Sequence, residues 1–272
     1  MPLPTPPGEA AVLGALQGFT ELFPVSSDGH LALAELLAGR AEPAAVAFAQ
    51  GGTLAGILFL MRRRLLDAVV EGARSLTLPS LLQETPAGRD AAFLLVGGLP
   101  AAGLNLAMAL GGGAGADKGC SLFVIGGCFL GLAATLGTTG LARGTRATPS
   151  WSGAFLVGMA LGVGALPGLS RVGLAATTLA WLGVAREKMF ELALLALVPG
   201  LFAACAVNAQ ACQGAHLNEL GVASLAGVLA FGATLVAMPM ARALVERGKL
   251  ALAFVYLVPL AIATLAWGYA RP

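Results

Sequence analysis

A carboxylate, two serines, an aspartate and a histidine crowd into the segment Gln17-Gly18-Phe19-Thr20-Glu21-Leu22-Phe23-Pro24-Val25-Ser26-Ser27-Asp28-Gly29-His30. The flanking sequence is apolar enough to sit in a bilayer. An ionisable group at bilayer depth costs about 2.5–3.5 kcal/mol on insertion scales, so such groups usually face a cavity and carry function. Gln17 and Glu21 are spaced i, i+4 and share one helix face. An amide oxygen and a carboxylate on one face can hold a hard cation such as Mg²⁺ or Ca²⁺. They can equally form a hydrogen-bonded packing pair. Ser26, Ser27 and Asp28 precede a helix that starts near Gly29. Their types suit N-capping, and the free N–H groups of the same turn suit an anion. His30 follows in the first turn. It is either a satisfied core residue or a nucleophile, acid or base.

A second polar break, Pro167-Gly168-Leu169-Ser170-Arg171-Val172-Gly173, interrupts another apolar region. A buried Arg171 needs an anionic partner. Glu21 is the structural candidate. A phosphate, bound bidentately by the guanidinium, is the functional one. Ser170 is placed to join it. Glu191, one turn into an apolar span, reads as polar lining or an interfacial group. Asn105 reads as an interhelical hydrogen-bonding residue. His216 and Glu219 read as solvated outer-loop residues.

The elements that must position these groups are helices in a membrane. The chain has 272 residues, of which 57% are hydrophobic and 11% charged; a soluble domain carries about 25% charged residues. The 38 glycines suit close helix contacts. The net charge of +2 comes without a basic, aromatic-interleaved patch, which excludes nucleic acid as a partner. The N-terminus lacks the basic stretch of a cleaved signal peptide, so the first apolar segment is expected to be retained. Cys120, Cys128, Cys205 and Cys212 show no metal-ligand spacing and read as small packing residues, with a Cys205–Cys212 disulfide the less favoured reading.

Spans of about 20 apolar residues are expected at 44–61, 91–110, 120–141, 188–206, 220–241 and 250–268. Regions 9–39 and 151–183 are broken in the middle and read as re-entrant hairpins, because irregular backbone at membrane depth must be satisfied by protein or water. Residues 65–82 read as a separate interfacial helix. The expected fold is an all-α polytopic membrane protein, a single integral-membrane domain over 1–272, with about six transmembrane helices plus two re-entrant helix–loop–helix hairpins in an inverted repeat. Half one covers about 9–141 and half two about 151–268. Lys and Arg asymmetry puts 62–90, 142–150, 184–188 and 242–249 in the cytoplasm and both termini outside.

The first motif closely resembles the signature of the bacterial undecaprenyl-diphosphate phosphatase family, the bacitracin-resistance type: Glu/Gln-Gly-x-Thr-Glu-Phe-x-Pro-Val-Ser-Ser-x-Gly-His. The second motif is similar to that family's Pro-Gly-x-Ser-Arg-Ser-Gly-x-Thr, and Phe48 to Ala55 looks like its second span. The resemblance covers nearly the whole chain. It implies the two-hairpin inverted repeat, a metal-stimulated phosphatase of the bacterial cytoplasmic membrane, and an active site open to the outer face. It implies catalytic roles for Glu21, Ser27, His30 and Arg171, with His30 the preferred nucleophile or the base that activates Ser27 or water and Glu21 orienting His30 or the metal; it implies phosphate binding by Ser26, Ser27, Ser170 and Arg171, and a divalent cation, Mg²⁺ or Ca²⁺, at Gln17 and Glu21. The implied partners are a polyprenyl diphosphate and membrane lipids; monomer and homodimer both stay open. Val172 and Ala175 stand where the family has hydroxyls, and Thr177 and Thr178 are the nearest replacements. The rival class is a polyprenyl-phosphate flippase on the same fold, which would need Arg171 and Glu21 but tolerate loss of His30. A purely structural subunit leaves the buried charges unexplained.

Overall fold

The computed structural model describes residues 6–39, 43–110, 121–212 and 217–270. Cys120 and His216 lie outside them. The regular structure of the described residues is helical, with no strand among them beyond one isolated bridge between Arg146 and Val184. In chain order the helices up to residue 141, the expected first half, are α1 (Pro7–Thr20), α2 (Ser27–Ala38), α3 (Pro43–Ser75), the short α4 (Leu81–Glu84), α5 (Pro86–Leu110) and α6 (Leu122–Gly137). Those of the expected second half are α7 (Trp151–Val163), α8 (Arg171–Trp181), α9 (Arg186–Asn208), α10 (Leu217–Glu246) and α11 (Ala253–Ala270).

Among the described residues, six helical segments are long and apolar enough to cross a membrane: Pro43–Ser75, Pro86–Met108, Leu122–Leu141, Arg186–Asn208, Asn218–Glu246 and Leu250–Ala270. The protein is an all-α, multi-pass membrane protein. Each half opens with two shorter helices joined by a break, α1–α2 and α7–α8, at the positions expected for hairpins. Two expectations need correction. Residues 65–75 are not a separate interfacial helix but the end of α3, which runs unbroken for 33 residues. At 1.5 Å per residue it is about 50 Å long, more than the ~30 Å hydrocarbon core. Glu219 lies in the first turn of α10, not in a loop.

Packing partners exchange between the halves. α3 packs on α10 and α5 on α9; α1 packs on α10 and α7 on α5; α6 and α11 pack on each other. Small residues permit the close crossings. A Cβ on Gly14 or Gly18 of α1 would stand 2.2 Å from a carbonyl oxygen of Ala226 or Ala230 in α10, so helix axes can approach only because these positions are bare. Asn105 on α5 donates to the Gly200 carbonyl of α9 at 3.2 Å, the interhelical bond expected of it.

One end of the bundle is tied by charge. Arg64, two thirds of the way along α3, grips Asp90 of α5 with two hydrogen bonds, 2.6 and 2.7 Å, and reaches Glu191 of α9 at 2.5 Å. Arg242 of α10 pairs with the other Glu191 oxygen at 3.0 Å and with Glu246 at 2.7 Å. Glu191 is thus a structural ligand for two arginines. α3 reaches this end by its C-terminal part and α9 by its N-terminus.

Arg64→Ala strands the buried Asp90 carboxylate and is expected to destabilise the protein by about 1–3 kcal/mol, because a charged hydrogen-bond partner is lost from a partly buried site. Arg63→Ala, at an exposed neighbouring position, should be near neutral. Denaturation of both variants in detergent checks the difference.

Candidate active site

The two helix breaks meet, and Ser26 is the joint. It carries φ +71°, alone among described non-glycine residues in the left-handed region. Such backbone costs of order 1–3 kcal/mol and persists only where surroundings hold it. Its Oγ accepts from Gly29 N–H at 3.1 Å, capping α2, and from Gly168 N–H of the other break at 3.0 Å. Its carbonyl accepts from His30 Nδ1 at 2.7 Å. The crossing is bare by necessity: a Cβ on Gly29 would lie 2.7 Å from Gly168 N. Gly168 itself sits at φ +95°, with its would-be Cβ 2.5 Å from the Ile125 carbonyl. Ser170 caps α8 by accepting from Gly173 N–H at 3.1 Å and reaches the Phe23 carbonyl across the joint at 3.4 Å. The N-termini of α2 and α8 therefore converge, and both place partial positive charge there.

Arg171, the first residue of α8, is 5% exposed. One guanidinium nitrogen donates to Glu21 Oε1 at 3.3 Å and another pairs closely with Asp28. Both carboxylates belong to the other break. The expected partner Glu21 is present, and Asp28 joins it. Glu21 Oε2 accepts from Gln17 Nε2 at 3.1 Å and from Ser27 Oγ at 2.5 Å. Glu21 thus orients Ser27, not His30. His30 lies three residues after Ser27, on the same face of the first turn of α2. Its Nε2 meets the Tyr256 hydroxyl of α11 at 2.6 Å.

Three buried side-chain polar atoms among the described residues lack a partner: Gln17 Oε1, Arg171 Nε and Asn105 Oδ1. Two of them flank Glu21. Buried polar groups are nearly always paired, so one spare acceptor and one spare donor beside a carboxylate mark a place for a ligand with both kinds of charge. Gln17 Oε1 and Glu21 fit a hard cation that takes its remaining ligands from phosphate and water, as Mg²⁺ commonly does. No group of three or more His, Cys, Asp or Glu able to hold a metal occurs among the described residues, so a cage made of protein ligands alone does not fit.

The second motif departs from expectation at its hydroxyls. Val172 and Ala175 are buried in the apolar core. Thr177 and Thr178 do not replace them, because each donates to a carbonyl of its own helix, Gly173 at 2.9 Å and Leu174 at 2.8 Å. Cys205 and Cys212 are not bridged, so the Cys205–Cys212 disulfide, the less favoured reading, is absent. Asp28 as an arginine ligand and Tyr256 as a histidine ligand were missed by sequence reasoning. Asp28 has the type of a cap residue, and Tyr256 has the type of an ordinary membrane-interface aromatic.

The family model described as "Bacitracin resistance protein BacA" matches residues 10–263. The chain belongs to that family. It is 30% identical over 266 residues to an undecaprenyl-diphosphatase of Korarchaeum cryptofilum, covering 95% of this chain and 98% of the relative. The corresponding protein of Roseobacter denitrificans is 31% identical over 268 residues, with 95% and 97% covered. That of Myxococcus xanthus is 34% identical over 202 residues, with 70% and 65% covered. Family membership accounts for both breaks carrying polar motifs within one apolar chain.

Ser26→Ala removes the acceptor shared by two buried N–H groups and is expected to cost about 2–4 kcal/mol. A loss of thermal stability in detergent, without substrate, checks this. A Ser26 that served phosphate alone would leave unliganded stability unchanged.

Proposed function

We propose that the protein is an integral-membrane phosphatase that cleaves the terminal phosphate of undecaprenyl diphosphate, giving undecaprenyl phosphate and inorganic phosphate. This would recycle the lipid carrier for cell-wall synthesis and, with it, confer bacitracin resistance. The observation that carries the reading is Arg171, buried at the joint of two broken helices with its Nε unpaired. The family and the names of its relatives favour hydrolysis over lipid flipping.

The terminal phosphate would lie between the N-termini of α2 and α8. Arg171 and backbone N–H groups bind it and stabilise the charge that develops on its oxygens. Ser170 and Ser26 hold the two loops around it. Ser27 Oγ is the hydroxyl placed for attack, because its hydrogen already points to Glu21. Glu21 takes that proton as the Ser27 oxygen bonds to phosphorus. The bond from phosphorus to the bridging oxygen breaks, and undecaprenyl phosphate leaves. Water then attacks the phosphoserine, its proton passing to His30; the bond from phosphorus to the Ser27 oxygen breaks, Glu21 returns its proton to that oxygen, and inorganic phosphate is released. What Mg²⁺ or Ca²⁺ supplies when held by Gln17 and Glu21 is neutralisation of the diphosphate. Every residue in this scheme comes from one chain, so no second copy is needed.

The two broken helix pairs are read as re-entrant hairpins of an inverted repeat. The charged end formed by Arg64, Asp90, Glu191 and Arg242 faces the cytoplasm. The first hairpin then enters from the outer face of the bacterial inner membrane, and the site opens outward. The prenyl chain stays between helices.

Wild-type protein in detergent with Mg²⁺ or Ca²⁺ is expected to release phosphate from undecaprenyl diphosphate, and His30→Ala and Glu21→Gln to lose at least about 100-fold, the usual share of a general acid or base. A chelator should suppress wild-type activity. Flipping of labelled lipid by folded wild type, with no phosphate released, would overturn the reading in favour of a transporter.

A further inference from the structure

The imidazole of His30 is held by three residues. Nδ1 meets the Ser26 carbonyl oxygen at 2.7 Å, and a carbonyl oxygen only accepts. Nδ1 therefore carries the ring hydrogen. In a neutral imidazole the other nitrogen is then a bare acceptor. The group at Nε2 is the Tyr256 hydroxyl, 2.6 Å away, so the phenol donates. The Tyr256 ring stacks on the imidazole, with centroids 5.7 Å apart and planes 6° from parallel. Phe129, fully buried, meets it edge-on at 5.7 Å. Ser26 lies in the first helix break and Tyr256 on α11, 226 residues from His30.

This arrangement does more than satisfy a tyrosine. Tyr256 is half exposed, so its hydroxyl has no need of a buried partner. The histidine is 9% exposed and has no hydrogen bond to Glu21 or Ser27. The atom of His30 that can accept a proton is the one Tyr256 holds.

We propose that Tyr256 is a positioning residue for His30: its O–H fixes the Nδ1–H tautomer, aims the Nε2 lone pair, and holds that lone pair until water or phosphate takes its place. The inference rests on the phosphatase reading for its consequence but not for its geometry. No bond to Tyr256 is made or broken other than this hydrogen bond.

Two readouts test it. The chain has two histidines, His30 and His216, so ¹⁵N-histidine labelling of the His216→Gln protein leaves one imidazole to observe. Its spectrum is expected to show a protonated Nδ1 and an unprotonated, hydrogen-bonded Nε2. Tyr256→Phe, which keeps the stacked ring, should move the Nε2 resonance downfield and lower kcat roughly three- to ten-fold, the scale of one lost hydrogen bond, with KM within about two-fold. An Nε2–H tautomer in the unmutated site overturns the proposal without recourse to any Tyr256 variant. So does an Nε2 resonance that Tyr256→Phe leaves unmoved, or a moved resonance with kcat unchanged. If wild type releases no phosphate, the phosphatase reading fails, while the spectrum still decides whether Tyr256 fixes the tautomer.

Discussion

Burying one guanidinium in an apolar helix bundle is the constraint on which the rest of this structure depends. Arg171 is almost wholly inside, where a charge without partners costs several kcal/mol. Its own hairpin supplies no carboxylate. Glu21 and Asp28 come from the other one, so the two halves of the chain must meet before the arginine is tolerable. Charge pairing thus fixes which loops touch, and bare glycines at 29 and 168 fix how closely.

The same pairing explains why the site is poised and not merely stable. Glu21 divides its two oxygens among Arg171, Gln17 and Ser27. One carboxylate holds the proposed phosphate ligand, the proposed nucleophile and the proposed cation ligand in register. A phosphate that draws Arg171 away leaves that carboxylate freer to accept the Ser27 proton. Ser26 adds rigidity at the crossing, and its strained backbone is held by the bonds that the crossing itself supplies. The charged clamp of Arg64, Asp90, Glu191 and Arg242 ties four helices at one end of the bundle, so the helices that flank the joint do not splay there.

Much of this was legible from sequence because lipid imposes simple rules. Runs of about 20 apolar residues gave all six spans to within a few residues, except at α3. There Arg62, Arg63 and Arg64 looked like a membrane exit, yet the helix continues to Ser75, because arginine is a good helix former and no proline follows before Pro79. The grouping of Gln17, Glu21 and Ser27 around one carboxylate was legible because their spacing is local. Asp28 and Tyr256 were invisible as partners because they act across 143 and 226 residues, and no local period records a contact at that range. Thr177 and Thr178 illustrate the opposite limit: the right residue type near the right place, already committed to its own helix.

The most direct measurement is a double-mutant cycle on phosphate release from undecaprenyl diphosphate, using Asp28→Asn, Arg171→Lys and both together. If Arg171 works only as a unit held by the other hairpin, the double variant loses no more in kcat/KM than Arg171→Lys alone, because a positioned group can be disarmed only once. Losses that multiply would mean that Asp28 and Arg171 act independently, and that the charge pairing across the joint is not what builds the site.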